Sequence, residues 1–320
     1  MILMRMAAAT LALLCVTAAQ AQQYPARPIK LLVTIPPGGA PDIVARVVGQ
    51  KLSEALGQPV VVENRPGSNG NIAAEATAKA APDGHTLMLC AEAQLVINPH
   101  LYAKLPFDPL KDLTVIATLV TNEFVLAINP ALPVKNFTEF IAFARNANPP
   151  LNYASGGNGS QHHLTMEMLK SRAGINLVHV PYKGGTPAAM ATVAGEVAAV
   201  FAGSSSAPQI KAGRLRALAV ASMARSAVFP DLPTIGEIYP GFSNSIWLAL
   251  CAPAGLPDPI LMRLRTEVNK LLAQPDIKEK FSNAGALEPF ITTPAELAAL
   301  IRSEYAKYGK VVKDIGATVD

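Results

Sequence analysis

Apolar positions along this chain alternate between short β-branched runs and longer stretches spaced as one face of a helix, and the alternation comes in two series. In the first, Ile29 to Ile35 reads as a strand, and Asp42 to Leu56 carries Ile43, Val44, Val47, Val48, Leu52 and Leu56 at helical spacing before Gly57 ends it. Pro59 to Glu63 predicts a second strand, Asn64 to Gly67 a turn, Ile72 to Ala80 an alanine-rich helix, and His85 to Cys90 a third strand. Strands separated by single helices imply parallel pairing with helices on both faces of the sheet.

The pattern breaks at Pro106 to Pro109, and two apolar segments follow, Leu113 to Val120 and Phe124 to Asn129. After Pro130 a second series begins. It predicts helices over Phe137 to Arg145, Gln161 to Ala173 and Pro187 to Ala194, and strands over Leu151 to Ala154, Leu177 to Val180, Val197 to Phe201 and Leu215 to Ala221. Ile246 to Cys251 reads as a returning strand, and three helices, Pro259 to Ala273, Pro275 to Asn283 and Pro294 to Asp314, close the chain without strands between them. Their apolar faces need a sheet already made, and the first series supplies one. The chain then crosses between two α/β lobes twice, near 118 to 126 and 244 to 252, as in proteins that close two lobes on a hinge. The expected first lobe is 24–123 with 247–320, and the expected second is 124–246.

Export is expected from the first residues. Arg5 precedes an apolar run, Met6 to Ala19, that leads into Ala19-Gln20-Ala21, so a signal peptide over 1–21 is expected, cleaved to leave a chain starting near Gln22. The run is too short to span a bilayer. Cys15 goes with the signal, since Ala12-Leu13-Leu14 ahead of it lacks the small residues of a lipoprotein site. The formal charge of +4 includes no basic block, so a nucleic-acid partner has no footprint here. Cys90 and Cys251 survive processing, and both readings stay open: a bridge, allowed outside the cytoplasm, or two buried thiols in apolar strands.

Ligands of open α/β sheets sit beyond the carboxyl ends of strands, which directs attention to a few loops. Pro36-Pro37-Gly38-Gly39-Ala40-Pro41-Asp42 and Ala154-Ser155-Gly156-Gly157-Asn158-Gly159-Ser160 both join a strand to a helix. Each leaves N–H groups free at a helix start, where an anion is favoured. Gly38 and Gly39 let a ligand approach the backbone, and Asp42 is placed to cap the helix. Ser155, Asn158 and Ser160 add side-chain donors. The plainer reading of each loop is a structural turn.

Other chemistries fit less well. Gly157-Asn158-Gly159 begins like a dinucleotide loop, but His162 stands where the third glycine belongs and no acid ends the next strand. His162 and His163 are adjacent and diverge on a helix, so they cannot chelate one ion, and no zinc site or cofactor is expected. Neither Ser160 nor Ser204 to Ser206 lies in a nucleophile elbow. Tyr182 and Lys183, in the loop after Val180, and Gly203 and Ser204, after Phe201, are candidates to line the cleft. Glu92, after Cys90, is the one acid there; it points to solvent or pairs with a cationic group of the ligand.

Further segments stand out: Tyr24-Pro25-Ala26-Arg27-Pro28-Ile29, Pro37-Gly38-Gly39 with Asp42, Pro59 to Gly67, Ala81-Pro82-Asp83-Gly84, Ile97-Asn98-Pro99, Leu105 to Pro109, Gly157 to Ser160 with His163-Leu164, Val180 to Gly184, and Lys211 to Val220. Together, in this order, they resemble the Bug family of extracytoplasmic receptors of tripartite tricarboxylate transporters. The likeness spans essentially the whole chain after the signal. It implies a periplasmic, non-enzymatic, type II binding protein with two mostly parallel sheets and a two-strand hinge. It further implies a small carboxylate held through Gly38, Gly39, Asp42, Ser155, Asn158, Gly159, Ser160 and His163, and delivery to membrane subunits; Pro37, Ala40 and Gly157 join the candidates from the loops themselves, and a monomer is expected. The alternatives are a carboxylate sensor with a signalling partner and, in another class, an enzyme acting on a carboxylic acid. The chain departs from the family pattern at Ala40-Pro41, at Cys90 to Gln94 and at Ala202-Gly203.

Overall fold

The computed structural model describes residues 24–226, 228–283 and 287–319, so the expected signal peptide, 1–21, lies outside the described residues. Among the described residues, eleven strands form two sheets. In chain order they are β1 (Ile29–Val33), β2 (Val60–Asn64), β3 (Thr86–Ala91), β4 (Leu113–Glu123), β5 (Val125–Ile128), β6 (Leu151–Ser155), β7 (Leu177–Pro181), β8 (Ala199–Ala202), β9 (Arg216–Val220), β10 (Ser245–Pro253) and β11 (Leu287–Pro289). The longer helices are α1 (Ala40–Leu56), α2 (Asn71–Ala78), α3 (Phe137–Asn146), α4 (Gln161–Ala173), α5 (Gly185–Ala194), α6 (Asp258–Leu272), α7 (Pro275–Asn283) and α8 (Pro294–Ile315).

The first sheet runs β11-β4-β10-β3-β1-β2 and the second β7-β6-β8-β5-β9. Within them β1 pairs in parallel with β2 and β3, and β6 with β7 and β8. The other pairings are antiparallel: β10 with β3 and β4, β11 with β4, and β5 with β8 and β9. Both sheets are therefore mixed, with four of the six strands of the first and four of the five of the second running one way. The reversed strands are those around the passage between sheets. β4 and β5 are separated only by Phe124, so β5 enters the second sheet without the helical crossover that parallel pairing requires.

Each sheet is covered on both faces. On one side of the first, α1, α6 and α7 bury Val44, Val48, Leu52, Leu264, Val268, Ile277 and Phe281. On its other side, α2, the turn of helix at 93–101 and α8 form a core that includes Trp247, Tyr308 and Val312. This core also takes in Leu164 of α4, so the second series contributes to it. The second sheet has α3 and α4 on one face and α5 on the other. Thus the terminal helices do pack on the first sheet, as their unaccompanied apolar faces require.

Cys90 and Cys251 are bridged, with Cα atoms 6.3 Å apart. Tertiary pairing decides this: β3 and β10 lie side by side, Cys90 faces Ala249 and Cys251 faces Met88. The two cysteines are thus diagonal neighbours on one face of the sheet.

Candidate functional site

The first loop is built around a carboxylate. Asp42 is buried and sits in the first turn of α1, whose cap is Gly39. Its Oδ2 accepts from the Gly38 N–H and Arg46 Nε, each at 3.0 Å, and its Oδ1 from Arg46 Nη2 at 3.0 Å and Asn64 Nδ2 at 2.9 Å. Burial pushes this acid up, but the bonds from Arg46, Gly38 and Asn64 together outweigh it and leave the group below its ordinary value. Two expectations are corrected here. Asp42 is not the cap but a residue inside the helix reaching back, and the Gly38 amide is spent on it rather than open to a ligand. Gly38 adopts φ +92°, which turns the chain, while Pro37 is exposed. The N–H groups of Gly39 and Ala40 donate to no acceptor among the described residues.

The second loop is held by a hydroxyl and two imidazoles. Ser155, wholly buried at the end of β6, lies with Oγ 2.6 Å from His179 Nε2 and accepts from the Gly157 N–H at 3.0 Å. His163 stacks on His179 with ring centroids 4.1 Å apart, and its Nδ1 accepts from the Gly159 N–H at 3.1 Å. Ser160 caps α4. Burial pushes His179 down to about 4, and the neighbouring His163 adds to that effect. Burial lowers His163 as well. Both rings are therefore neutral acceptors and donors at physiological pH. Asn158 is exposed, and its N–H and those of Gln161 and His162 have no acceptor among the described residues. His162 packs its ring on Phe124 and against Gly156 and Gly185, and burial pushes it down to about 4.

Asn69 joins this loop to the first sheet. It lies in the turn after β2 with φ +51°, and its Nδ2 donates to Gly159 O at 3.3 Å and to Asn98 Oδ1 at 2.7 Å. Its own carbonyl accepts from Gln94 Nε2 and Asn98 Nδ2. A Cβ on the neighbouring Gly70 would come within 2.9 Å of Thr34 Cβ, so this turn is pressed against the end of β1, where the first loop begins. Gly159 adopts φ +71°, and a Cβ there would stand 2.7 Å from Leu101 and 3.0 Å from Val319. Both loops thus emerge at carboxyl ends of strands on one junction.

The remaining candidates divide. Tyr182 donates its hydroxyl to Glu196 at 3.1 Å rather than offering it to a ligand, and its backbone N–H bonds Ser155 O. Gly203 and Ser204 lie where β8 ends and the short turn Ser204–Ser206 begins. Glu92 is neither in solvent nor set to meet a ligand cation. It is fully buried, accepting from Gln161 Nε2 at 2.5 Å and from the Trp247 N–H at 3.0 Å, and so faces α4 and β10. Two surface depressions, of about 290 and 390 Å³, lie beside Leu110 and Ile301 and beside Met223 and Phe242, and neither is lined by residues of these loops.

Asn69, Gln94, His179 and Gln161 were not legible as site residues. Asn98 stood in Ile97-Asn98-Pro99, one of the segments that carry the family resemblance. The uncharged amides carry no sequence signal of their own, because their partners come from distant segments.

Comparison with known proteins agrees with this architecture. A family model described as "Tripartite tricarboxylate transporter family receptor" (TctC) matches residues 44–317. The chain is 38% identical over 300 residues to Protein BugT of Bordetella pertussis, covering 93% of this chain and 92% of that one. It resembles the solved structure of R. palustris Rpa4515 with adipate, with a TM-score of 0.86 and 32% identity, covering 92% of this chain and all of the other. The structure of MatC from Rhodopseudomonas palustris with bound malate matches with a TM-score of 0.80 and 31% identity over 90% of this chain and all of the other. The mixed α/β chain with its two hinged sheets belongs to the TctC family of tripartite tricarboxylate transporter receptors.

Proposed function

We propose that this protein is a periplasmic receptor that captures a small dicarboxylate between two lobes, 24–123 with 247–320 and 124–246, and delivers it to the membrane subunits of a tripartite transporter. The observation that carries this reading is the pair of helix starts with unpartnered N–H groups, at Gly39-Ala40 and at Asn158 to His162, joined at one junction through the Asn69 to Gly159 bond. A carboxylate oxygen fits such donors. Each helix start contributes about 0.3–1 kcal/mol electrostatically. Each hydrogen bond to the charged group adds about 1.5–3 kcal/mol, so three or four bonds account for the roughly 8 kcal/mol of micromolar binding. The adipate and malate held by the two relatives favour the dicarboxylate class. Transport rather than turnover is the reading for Ser155 and His179, since the hydroxyl is buried and bonded to its own loop.

The test is a titration of the purified mature protein with adipate, malate and their monocarboxylate counterparts, followed by fluorescence of Trp247, the chain's only tryptophan. Saturable binding of a dicarboxylate, recovered unchanged, is expected. Gly39→Val and Gly159→Val are each expected to weaken it at least tenfold, because the new side chain meets Ile35 or Leu101 and Val319. Undiminished affinity in both variants, or no binding by any acid, overturns the reading.

A further inference from the structure

Behind the candidate site lies a buried polar network that the capture of a carboxylate does not use. It joins both sheets and the C-terminal helix. Glu92, from the segment after β3, accepts through Oε1 from Gln161 Nε2 of α4 and through Oε2 from the peptide N–H of Trp247 on β10. Gln161 Nε2 also donates to the Tyr308 hydroxyl of α8 at 2.8 Å, and Tyr308 donates to Asn244 Oδ1 at 2.7 Å. Asn244 closes the ring by donating to Gln161 Oε1 at 3.1 Å and to Thr165 Oγ1 at 2.5 Å. Glu92, Gln161, Thr165, Asn244 and Tyr308 are all buried, Glu92 completely. The network therefore sits at the junction of the two sheets, where α4 of the second meets β3, β10 and α8 of the first.

We propose that Glu92 is a proton-carrying latch, so that lobe closure around the ligand is coupled to the uptake of one proton from solvent by this carboxylate. The inference rests on the receptor reading above. Opening the hinge draws Gln161 away from Glu92 and admits water to the carboxyl, which then ionises and returns its proton to solvent. Closing withdraws it from water, where an isolated carboxylate is costly, and this desolvation outweighs the N–H donors of Gln161 and Trp247, which favour the charged form.

Charge around the group supports the direction. From α8 it is faced by Glu304, an acid that raises it further, and by the Tyr308 hydroxyl, itself held protonated by burial. Glu304 is in turn paired with Lys307 at 3.4 Å. α4 presents an uncharged amide and β10 a peptide N–H. His162 and His163, next along α4, turn to Phe124 and to His179. No lysine or arginine bonds the carboxyl among the described residues, and burial pushes it up to about 8. The closed form then holds one proton more than the open form between the ordinary glutamate range and about 8. Ligand affinity is highest at the acid end of that window and falls as pH rises through it.

The experiment is calorimetric titration of the full mature protein with adipate and malate, above about pH 7 so that the ligand stays ionised and the lowered histidines stay neutral. Two buffers of different ionisation enthalpy read the protons exchanged. The expected result is uptake of nearly one proton per ligand at about pH 7, and an affinity that drops roughly eightfold by about pH 8.5. Glu92→Gln, which keeps the shape and an acceptor oxygen, should bind with neither the uptake nor the pH slope. Binding without proton uptake by the wild-type protein overturns the latch and leaves the receptor reading intact, and this measurement does not depend on the variant folding. An unaltered slope in Glu92→Gln also overturns it. Failure of either acid to bind overturns the receptor reading and the latch together.

Discussion

At the scale of single residues, two carboxylates show how surroundings reverse the behaviour of one chemical group. Asp42 is buried with a guanidinium, an amide and a peptide N–H around it, and these hold it ionised. Glu92 is buried with only neutral donors, and desolvation wins. The signs follow for stability. A lowered acid contributes stability above its unfolded value and loses it as pH falls through the folded value, so the wild-type protein should lose stability in acid below about pH 4 more steeply than Asp42→Asn. Glu92 runs the other way. Its folded value lies above the unfolded one, so its contribution is complete in acid and is lost as pH rises toward about 8. Melting temperatures across that range should fall for the wild-type protein and stay flatter for Glu92→Gln.

At the scale of elements, α4 has the most to lose from small changes, because its first turn must both cap itself and face the junction. Ser160 supplies the cap by accepting the His163 N–H. Ser160→Ala should cost about 0.5–2 kcal/mol in chemical denaturation. Ligand affinity should fall as well, since the peptide N–H groups of that turn lose their fixed aim. Thr293→Ala, at the capping box that opens α8, makes the control: a similar stability cost with affinity unchanged. These elements were legible in the chain itself. Gly57 and Gly174 end α1 and α4 in left-handed conformation, as glycines after an apolar helical stripe should. What escaped was β11, only Leu287–Pro289, and the helical turns over 93–101, where Ala93 to Ile97 forms a π-type turn. A three-residue strand has too few positions to display a period.

At the scale of the whole molecule, the Cys90 to Cys251 bridge closes a loop of 161 residues that contains the entire second sheet. Loop entropy alone gives such a bridge about 5 kcal/mol of stabilisation, through restriction of the unfolded chain. Reduction under native conditions should therefore lower the denaturation midpoint by an amount consistent with about 2–5 kcal/mol, with the folded spectrum retained. Equal midpoints for oxidised and reduced protein would contradict the bridge. The bridge ties β3 to β10, one of the strands by which the chain passes between the sheets, and so braces the first sheet beside that passage.

Local periodicity determined the longer strands and helices, the two series and the placing of glycine loops after β1 and β6, because each of these depends on neighbours within a turn or two. It also singled out Glu92 as an anomaly among the loops. Tertiary structure alone decided which donors those loops leave free, since Asp42 takes the Gly38 amide and His163 that of Gly159. It decided as well that Glu92 faces Gln161, Trp247 and Tyr308 from segments 69, 155 and 216 residues away rather than a ligand. Hydrogen bonds between such segments depend on how sheets and helices pack, and no spacing along one chain encodes them.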